Sequence, residues 1–159
     1  MATEVGICGI APVLCGLVWG MRIARPSHIR PVLLIDDSHE DLFLAKRLLT
    51  RAGVTHPIVT LNDGDEAIAF LRAAGRPEGG ELLPFIVFCD VKMNGRSGFE
   101  VLAWVRAEPK LKPVPIYMLS GADLEVDRQR AAELGATGYL VKFPGAAQFE
   151  QLISAVDGG

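Results

Sequence analysis

The chain has 159 residues, of which 50% are hydrophobic, and its formal net charge at pH 7 is −3. This length is enough for about one domain with a core of its own, and a mildly acidic chain is not expected to bind nucleic acid directly. The cysteines Cys8, Cys15 and Cys89 lie in apolar segments without the spacing of a disulfide framework. That distribution favours a reducing, cytoplasmic setting.

Residues 5–21 form an apolar segment without a charged side chain, and the arginines Arg22, Arg25 and Arg30 follow it. Its 17 residues reach the lower limit for a helix that spans a membrane. Three interpretations stay open: an extension or over-long start with Met21 as the initiator, a membrane anchor that leaves the body in the cytoplasm, and an exported protein. We expect residues 1–30 to be a disordered extension and linker, and residues 31–157 to form the folded domain.

Within this domain, short apolar segments alternate with segments of helical periodicity. The predicted strands are residues 32–35, 57–61, 84–90, 114–119 and 136–141. The predicted helices lie within residues 38–53, 65–75, 98–106 and 123–134 and around 149–156. Ser38 is the expected N-cap of the first helix, with Asp41 three residues on as a variant of the capping box. The alternation is typical of an α/β protein with a parallel sheet that carries helices on both faces.

Polar side chains stand at the ends of four predicted strands: Asp36 with Asp37, Asp90, Ser120 and Lys142. Because parallel strands end at one edge of a sheet, we expect these groups to converge there. Neighbouring carboxylates repel each other unless a cation joins them, and a ligand set made only of oxygen atoms favours Mg²⁺. An ammonium and a hydroxyl group can hold phosphoryl oxygens, and a carboxylate can attack phosphorus to form an acyl phosphate.

Each of these residues has an ordinary structural explanation when it is taken alone. The acidic pair could be a helix-capping turn, Ser120 a turn residue and Lys142 a solvated charge at a strand end. Asp90 is harder to explain in this way, because it follows five apolar residues and a buried carboxylate without a partner is costly. Their joint occurrence at strand ends therefore favours a phosphoryl site.

Five segments form a recognisable series along the domain: "LLIDDS", "NDGDEAIAFL", "IVFCDVKMNGRSGFEVL", "PIYMLSGA" and "AAELGATGYLVKF". Together they resemble the receiver domain of bacterial two-component response regulators over residues 31–157. The resemblance implies a flavodoxin-like, doubly wound sheet of five parallel strands in the order 2-1-3-4-5 with five helices. The long loop "AAGRPEGGELLP" resembles that of the small single-domain regulators that partner phytochrome-type kinases, and we expect no output domain here.

The resemblance also implies a role for each acidic residue in a phosphorelay. Asp90 would accept a phosphoryl group from a sensor histidine kinase. Mg²⁺ would be bound directly by Asp37 and Asp90, mostly through water by Asp36, and by the backbone carbonyl of Lys92. The domain would catalyse its own phosphotransfer and dephosphorylation without acting on an external substrate.

Three further residues complete the site that the resemblance implies. Ser120 and Lys142 would hold the phosphoryl oxygens. Tyr139 matches the aromatic switch that turns inward when Ser120 moves toward the phosphoryl group. The fourth helix, fifth strand and fifth helix would form the face that reports this change to a downstream protein and that could form a homodimer.

Two departures from the family pattern affect the expected site. Asn94 follows Met93 where the family has proline, and Phe143 stands between Lys142 and Pro144 where the family has proline directly after the lysine. We expect either a non-proline cis peptide after Lys142 or a different path of the loop. The alternative function is therefore a degenerate, phosphate-independent receiver that acts as a protein-interaction module.

Two other functions fit the residues less well. Phosphatases with an aspartate nucleophile resemble a pattern with a second aspartate two residues later, and Lys92 occupies that position here. Flavin binding needs a phosphate loop rich in serine and threonine after the first strand. The acidic "DDSHED" segment would instead repel a phosphate group in the absence of a metal ion.

Overall fold

The computed structural model describes residues 29–74 and 82–158. In these ranges strands and helices alternate in the order β1 (Val32–Ile35), α1 (His39–Arg51), β2 (Ile58–Leu61), α2 (Gly64–Ala74), β3 (Ile86–Asp90), α3 (Gly98–Ala107), β4 (Ile116–Ser120), α4 (Glu125–Glu133), β5 (Gly138–Val141) and α5 (Ala146–Asp157). Among the described residues no helix is long and apolar enough to cross a membrane. The apolar segment 5–21, with its three interpretations, lies outside the described residues, as does most of the linker 22–30.

The five strands form one parallel sheet in the order β2-β1-β3-β4-β5, which confirms the expected fold. Every residue of β1 and β3 is buried. Helices cover both faces of these strands, which is why their sequences are continuously apolar and not alternating. Strands β3 and β4 begin two residues later than predicted, at Ile86 and Ile116. Pro115, which has no amide hydrogen for the ladder, directly precedes β4.

Successive strand residues point to opposite faces of the sheet, so the helices enclose two cores. The core under α2 and α3 includes Leu33, Leu71, Val87, Leu102 and Met118. The core under α1 and α5 includes Leu34, Leu49, Phe88, Phe149 and Ile153. Helix α4 contributes only Ala131 as a fully buried side chain, so most of its surface faces water, as its sequence predicted. The central strands are thus buried on both faces, with one core between the sheet and each layer of helices.

The amino-terminal end of α1 differs in one respect from its predicted capping. Ser38 is the N-cap, as expected, and its Oγ accepts the backbone N–H of Asp41 at 3.3 Å. The predicted capping box is wrong, because the Ser38 N–H donates to Asp36 Oδ1 at 3.0 Å. The Asp41 side chain is one methylene shorter than the glutamate of the usual motif. A full capping box forms instead at α3, between Ser97 and Glu100.

Arg30, two residues before β1, is attached by hydrogen bonds to the edge of the sheet where the strands begin. The Arg30 guanidinium donates hydrogen bonds to the carbonyl oxygens of Leu83 at 3.1 Å and Pro84 at 2.6 Å. Nδ1 of His56 lies 2.8 Å from the Arg30 carbonyl oxygen, and the His56 ring stacks on Phe85 with the ring centroids 4.0 Å apart. These contacts hold residue 30 beside the beginnings of β2 and β3.

The first residue of α3 lies against the end of β3. A Cβ atom on Gly98 would be 2.0 Å from the backbone oxygen of Asp90 and 2.9 Å from Cε of Met118. No side-chain carbon can approach a backbone oxygen this closely. Helix α3 can therefore begin beside Asp90 only because residue 98 has no side chain.

We predict that Gly98→Ala lowers the free energy of unfolding by about 1–3 kcal/mol, because α3 must move away from β3. Urea unfolding followed by circular dichroism measures the change. Gly121→Ala is the control, since a Cβ atom there meets no atom within 4 Å. We expect it to change stability by less than about 0.5 kcal/mol. Equal unfolding free energies for the two variants would contradict the prediction.

Candidate functional site

The centre of the site is the ammonium group of Lys142, which follows β5. Its Nζ lies 2.6 Å from Asp36 Oδ2, 2.9 Å from Asp41 Oδ2 and 3.0 Å from Asp90 Oδ1. The Lys142 side chain is 11% exposed, and those of Asp36 and Asp90 are each 5% exposed. Salt screens such shielded charges only weakly. The ammonium group therefore offsets the repulsion between the two buried carboxylates.

Backbone hydrogen bonds that continue past the strands hold these groups at one edge of the sheet. The Asp36 N–H donates to the carbonyl oxygen of Leu61 at 3.1 Å, and the Lys142 N–H donates to that of Ser120 at 2.7 Å. The structure thus brings Asp36, Asp90 and Lys142 together, as their positions at strand ends predicted. Ser120 lies buried at the neighbouring end of β4.

Three carboxylates at this edge could hold a cation. Asp36, Asp37 and Asp90 each offer one oxygen, and these three atoms lie within 4.8 Å of one another. A set of oxygen ligands fits Mg²⁺. Asp37 is oriented by Asn94, whose backbone N–H and Nδ2 donate to Asp37 Oδ2 at 2.8 and 2.7 Å. Lys92 is exposed in the same loop, and the use of its backbone carbonyl as a ligand stays a prediction.

One loop residue connects Ser120 to the aromatic side chain of β5. The backbone N–H of Ala122 donates to Ser120 Oγ at 3.4 Å. The carbonyl oxygen of the same residue accepts the Tyr139 hydroxyl at 2.9 Å. Ala122 therefore joins the two side chains that the sequence assigned to phosphoryl binding and to switching.

The buried position of these groups changes their protonation. The pKa of Asp90 is raised to about 6: burial is the main cause, Lys142 acts in the opposite direction through its hydrogen bond and its charge, and the charges of Asp36 and Asp37 add to the increase. Burial lowers the pKa of Lys142, but hydrogen bonds with Asp36, Asp41 and Asp90 outweigh burial and hold this pKa above its usual value. At pH 7 the site therefore contains an ammonium ion and an Asp90 carboxylate that is mostly ionised.

The structure shows the effect of the residue inserted after the lysine. The Lys142–Phe143 peptide bond is cis, which was the first of the two expected alternatives. The Phe143 side chain is 38% exposed, and Pro144 is buried. Lys142 nevertheless contacts Asp90. The insertion therefore does not separate the ammonium group from the carboxylates.

Two residues of the site were not predicted from the sequence. Asp41, which was expected to cap α1, contacts Lys142 through its carboxylate. Asn94, which the sequence showed only as a departure from the family pattern, orients Asp37. A signal for Asp41 was present, because the first turn of the helix after "IDD" is acidic and begins at the edge of the sheet where the strands end.

Comparisons with known proteins agree with this arrangement. Residues 32–157 match the sequence model of the response regulator receiver domain. The chain is 29% identical to response regulator Rcp1 of Synechocystis over 126 residues, which cover 79% of this chain and 85% of Rcp1. It is similar to the structure of the phosphorylated cyanobacterial phytochrome response regulator RcpA, with 29% identity, a TM-score of 0.66, and coverage of 81% of this chain and 91% of RcpA. The Mn²⁺-bound structure of Rcp1 gives 26% identity, a TM-score of 0.64, and coverage of 81% and 92%.

A doubly wound parallel sheet in the order 2-1-3-4-5, with an acidic cluster at its carboxyl edge, defines a flavodoxin-like α/β protein that carries its site at the ends of its strands. The chain belongs to the receiver domain family of the response regulators of two-component signalling.

We predict that Asp90→Asn raises the free energy of unfolding of the metal-free protein at pH 7, by on the order of 1 kcal/mol. The folded-state pKa of about 6 lies above the ordinary value of 3.8. The folded protein therefore binds this proton more tightly than the unfolded chain, and stability falls as the pH rises through that interval. Asparagine carries no ionisable group, so the variant does not lose this stability as the pH rises.

Urea unfolding at a series of pH values, in the presence of a chelator, measures the difference. The advantage of the variant should vanish below about pH 4, where the carboxyl group is protonated in both states. Glu133→Gln, at the exposed end of α4, is the control and should follow the wild type. A constant difference between Asp90→Asn and the wild type across the whole pH range would contradict the prediction.

Proposed function

We propose that this protein is a response regulator that accepts a phosphoryl group from a sensor histidine kinase on Asp90 in a Mg²⁺-dependent reaction. The observation that carries this proposal is the contact of Lys142 Nζ with both Asp36 and Asp90 beyond the ends of parallel strands. Membership of the receiver family and the similarity to RcpA in a phosphorylated form support it.

Phosphoryl transfer to Asp90 requires an ionised carboxylate. One Asp90 oxygen attacks the phosphorus of the kinase phosphohistidine, so that an O–P bond forms while the P–N bond to the imidazole breaks, and the released imidazole takes up a proton. Most Asp90 is ionised at pH 7, because its pKa is about 6. Mg²⁺ bound by Asp36, Asp37, Asp90 and the Lys92 carbonyl would neutralise part of the phosphoryl charge.

Lys142 and Ser120 would hold the group after transfer. The ammonium group already contacts Asp90 at 3.0 Å and can keep a hydrogen bond to a phosphoryl oxygen. The Ser120 hydroxyl, which accepts from Ala122, can donate its proton to a second oxygen. Movement of Ser120 toward the phosphoryl group would also move Ala122 and so change the hydrogen bond of Tyr139. The face formed by α4, β5 and α5 would report this change to a downstream protein.

We further propose a phytochrome-type kinase as the partner, because the similar RcpA is a cyanobacterial phytochrome response regulator. The Mn²⁺-bound structure of Rcp1 supports a divalent cation as the cofactor. A kinase partner and the reducing setting inferred from the cysteines favour the cytoplasm. The alternative of a phosphate-independent interaction module rested on Phe143, and the contact between Lys142 and Asp90 argues against that alternative.

Phosphorylation of the full chain by acetyl phosphate tests the proposal. With Mg²⁺, intact mass spectrometry should show one added phosphoryl group that is labile to base, as an acyl phosphate is, and none without a divalent cation. Asp90→Asn should stay unmodified. Asp65→Asn, at an aspartate side chain that is 74% exposed, should be modified like the wild type. An unmodified wild type that still binds Mg²⁺ would favour the phosphate-independent alternative.

We also propose that the face of α4, β5 and α5 forms a homodimer in the phosphorylated protein. Apolar side chains in or next to α4 and β5 are exposed, with 42% for Leu124, 68% for Val126 and 41% for Val141. Exposed apolar side chains that adjoin a switching residue are suited to a partner surface. Because the same face is present on every copy, a symmetric dimer can bury it twice.

Sedimentation with and without beryllofluoride, a phosphoryl mimic, tests the dimer. Self-association should tighten with the mimic and should be at least about tenfold weaker in Val126→Asp, because an unpaired carboxylate would be buried in the interface. Phe43→Asp is the matched control, since Phe43 is 63% exposed on α1, outside this face. A protein that stays monomeric under both conditions would exclude the proposed dimer.

A further inference from the structure

Arg128 of α4 contacts two separate segments next to the functional site. Its guanidinium carbon lies 5.2 Å from the centre of the Tyr139 ring, a distance at which a cation is attracted to an aromatic face. The same guanidinium forms an ion pair with Asp123 and lies 3.9 Å from a carboxylate oxygen of Glu125. Asp123 belongs to the loop between β4 and α4, whereas Tyr139 belongs to β5. Arg128 therefore joins the loop to the strand.

A hydrogen bond joins the same loop to the same tyrosine. The Tyr139 hydroxyl donates to the carbonyl oxygen of Ala122 at 2.9 Å, and the N–H of Ala122 donates to Ser120 Oγ. Two consecutive loop residues are thus tied down: Ala122 by Tyr139, and Asp123 by Arg128. These two supporting side chains also contact each other. The loop, the strand and α4 consequently form one connected unit.

The rotamer of Tyr139 decides whether this unit stays connected. Tyrosine has several staggered rotamers, and a change of rotamer would carry its hydroxyl away from Ala122. Arg128 lies over the ring in the rotamer that makes the hydrogen bond. The ion pair with Asp123 holds the Arg128 guanidinium in this position. Asp123 belongs to the same loop as Ala122, which accepts the hydrogen bond from Tyr139. Arg128 therefore stabilises the bonded rotamer of Tyr139 relative to the others.

We propose that Arg128 is a positioning residue that holds Tyr139 on Ala122 and thereby presents the Ser120 hydroxyl to the phosphoryl group. The effect of Arg128 on loop order follows from the contacts alone. Its effect on reaction rate rests on the proposed function. Loss of Arg128 is expected to loosen the loop between β4 and α4 and to slow phosphorylation of Asp90.

Arg130 provides a matched control on the same helix. Its guanidinium carbon lies 4.6 Å from the centre of the Phe99 ring, so it makes the same kind of contact as Arg128. Its aromatic partner belongs to α3 and not to β5 or the loop between β4 and α4. Arg130→Ala removes one positive charge and one cation–π contact from α4, as Arg128→Ala does. A difference between the two variants therefore reports the contacts of Arg128 with Tyr139 and with Asp123.

The first experiment needs no phosphoryl group. Amide hydrogen exchange of the full chain, followed by NMR, measures the protection of the Ala122 N–H. We expect Arg128→Ala to raise the exchange rate about two- to fivefold, the factor that an exposed cation–π contact supplies. Arg130→Ala should leave the rate unchanged. Equal exchange rates in Arg128→Ala and the wild type would overturn the proposal, whether or not the protein is phosphorylated.

The second experiment measures the rate of phosphorylation by acetyl phosphate. Arg128→Ala should react about two- to fivefold more slowly, Arg128→Lys should recover part of the rate, and Arg130→Ala should match the wild type. Tyr139→Phe combined with Arg128→Ala should be no slower than Tyr139→Phe alone, since the two residues act through one connection. An unchanged or faster reaction of Arg128→Ala would overturn the role in presenting Ser120. A wild type that is not phosphorylated would instead overturn the proposed function.

Discussion

The acidic edge of the sheet depends on one ammonium group. Asp36 and Asp90 are almost fully buried, and Lys142 is the cation that lies within 3.0 Å of both. Loss of its ammonium group would leave buried carboxylates without a partner, which typically costs about 3–5 kcal/mol. Strand β4 lies between β5 and β3, so the charge of Lys142 must cross roughly two strand spacings, or about 10 Å, to reach Asp90. Only a long side chain can do so. Because the strand order places β4 between β5 and β3, the cation at the end of β5 must be carried by a side chain as long as that of lysine.

Burial also determines which elements resist movement and which can shift. Strands β1 and β3 are buried along their whole length, and they carry the acidic residues. Helix α4 buries one side chain, Ala131, and its other contacts are formed largely by charged residues at the surface. Elements with few buried apolar contacts shift at low cost in free energy. The sheet thus fixes the positions of the buried carboxylates, while α4 is the element that can move at lower cost in free energy.

The sequence predicted the strands and the convergence of Asp36, Asp90 and Lys142, because these depend on local periodicity and on the geometry of parallel sheets. The order of the strands was implied by the family resemblance alone. It did not predict the contact between Asp41 and Lys142, which spans 101 positions along the chain. The local pattern around Asp41 was fully explained by helix capping. The contact between Arg128 and Tyr139 was not predicted either, because a charged residue on an exposed helix has an ordinary explanation. Only the fold shows that Arg128 lies over the Tyr139 ring.

The attachment of Arg30 to Leu83 and Pro84 has a practical consequence. These carbonyl groups lie before β3, whereas Asp90 is its last residue, so the two points are separated by about the length of the strand, roughly 15 Å. The chain thus reaches the sheet at the pole opposite the acidic cluster. A fusion partner, dye or solid support coupled upstream of Arg30 would therefore be attached at the end of the domain opposite Asp90. The acidic cluster at the carboxyl edge would stay accessible.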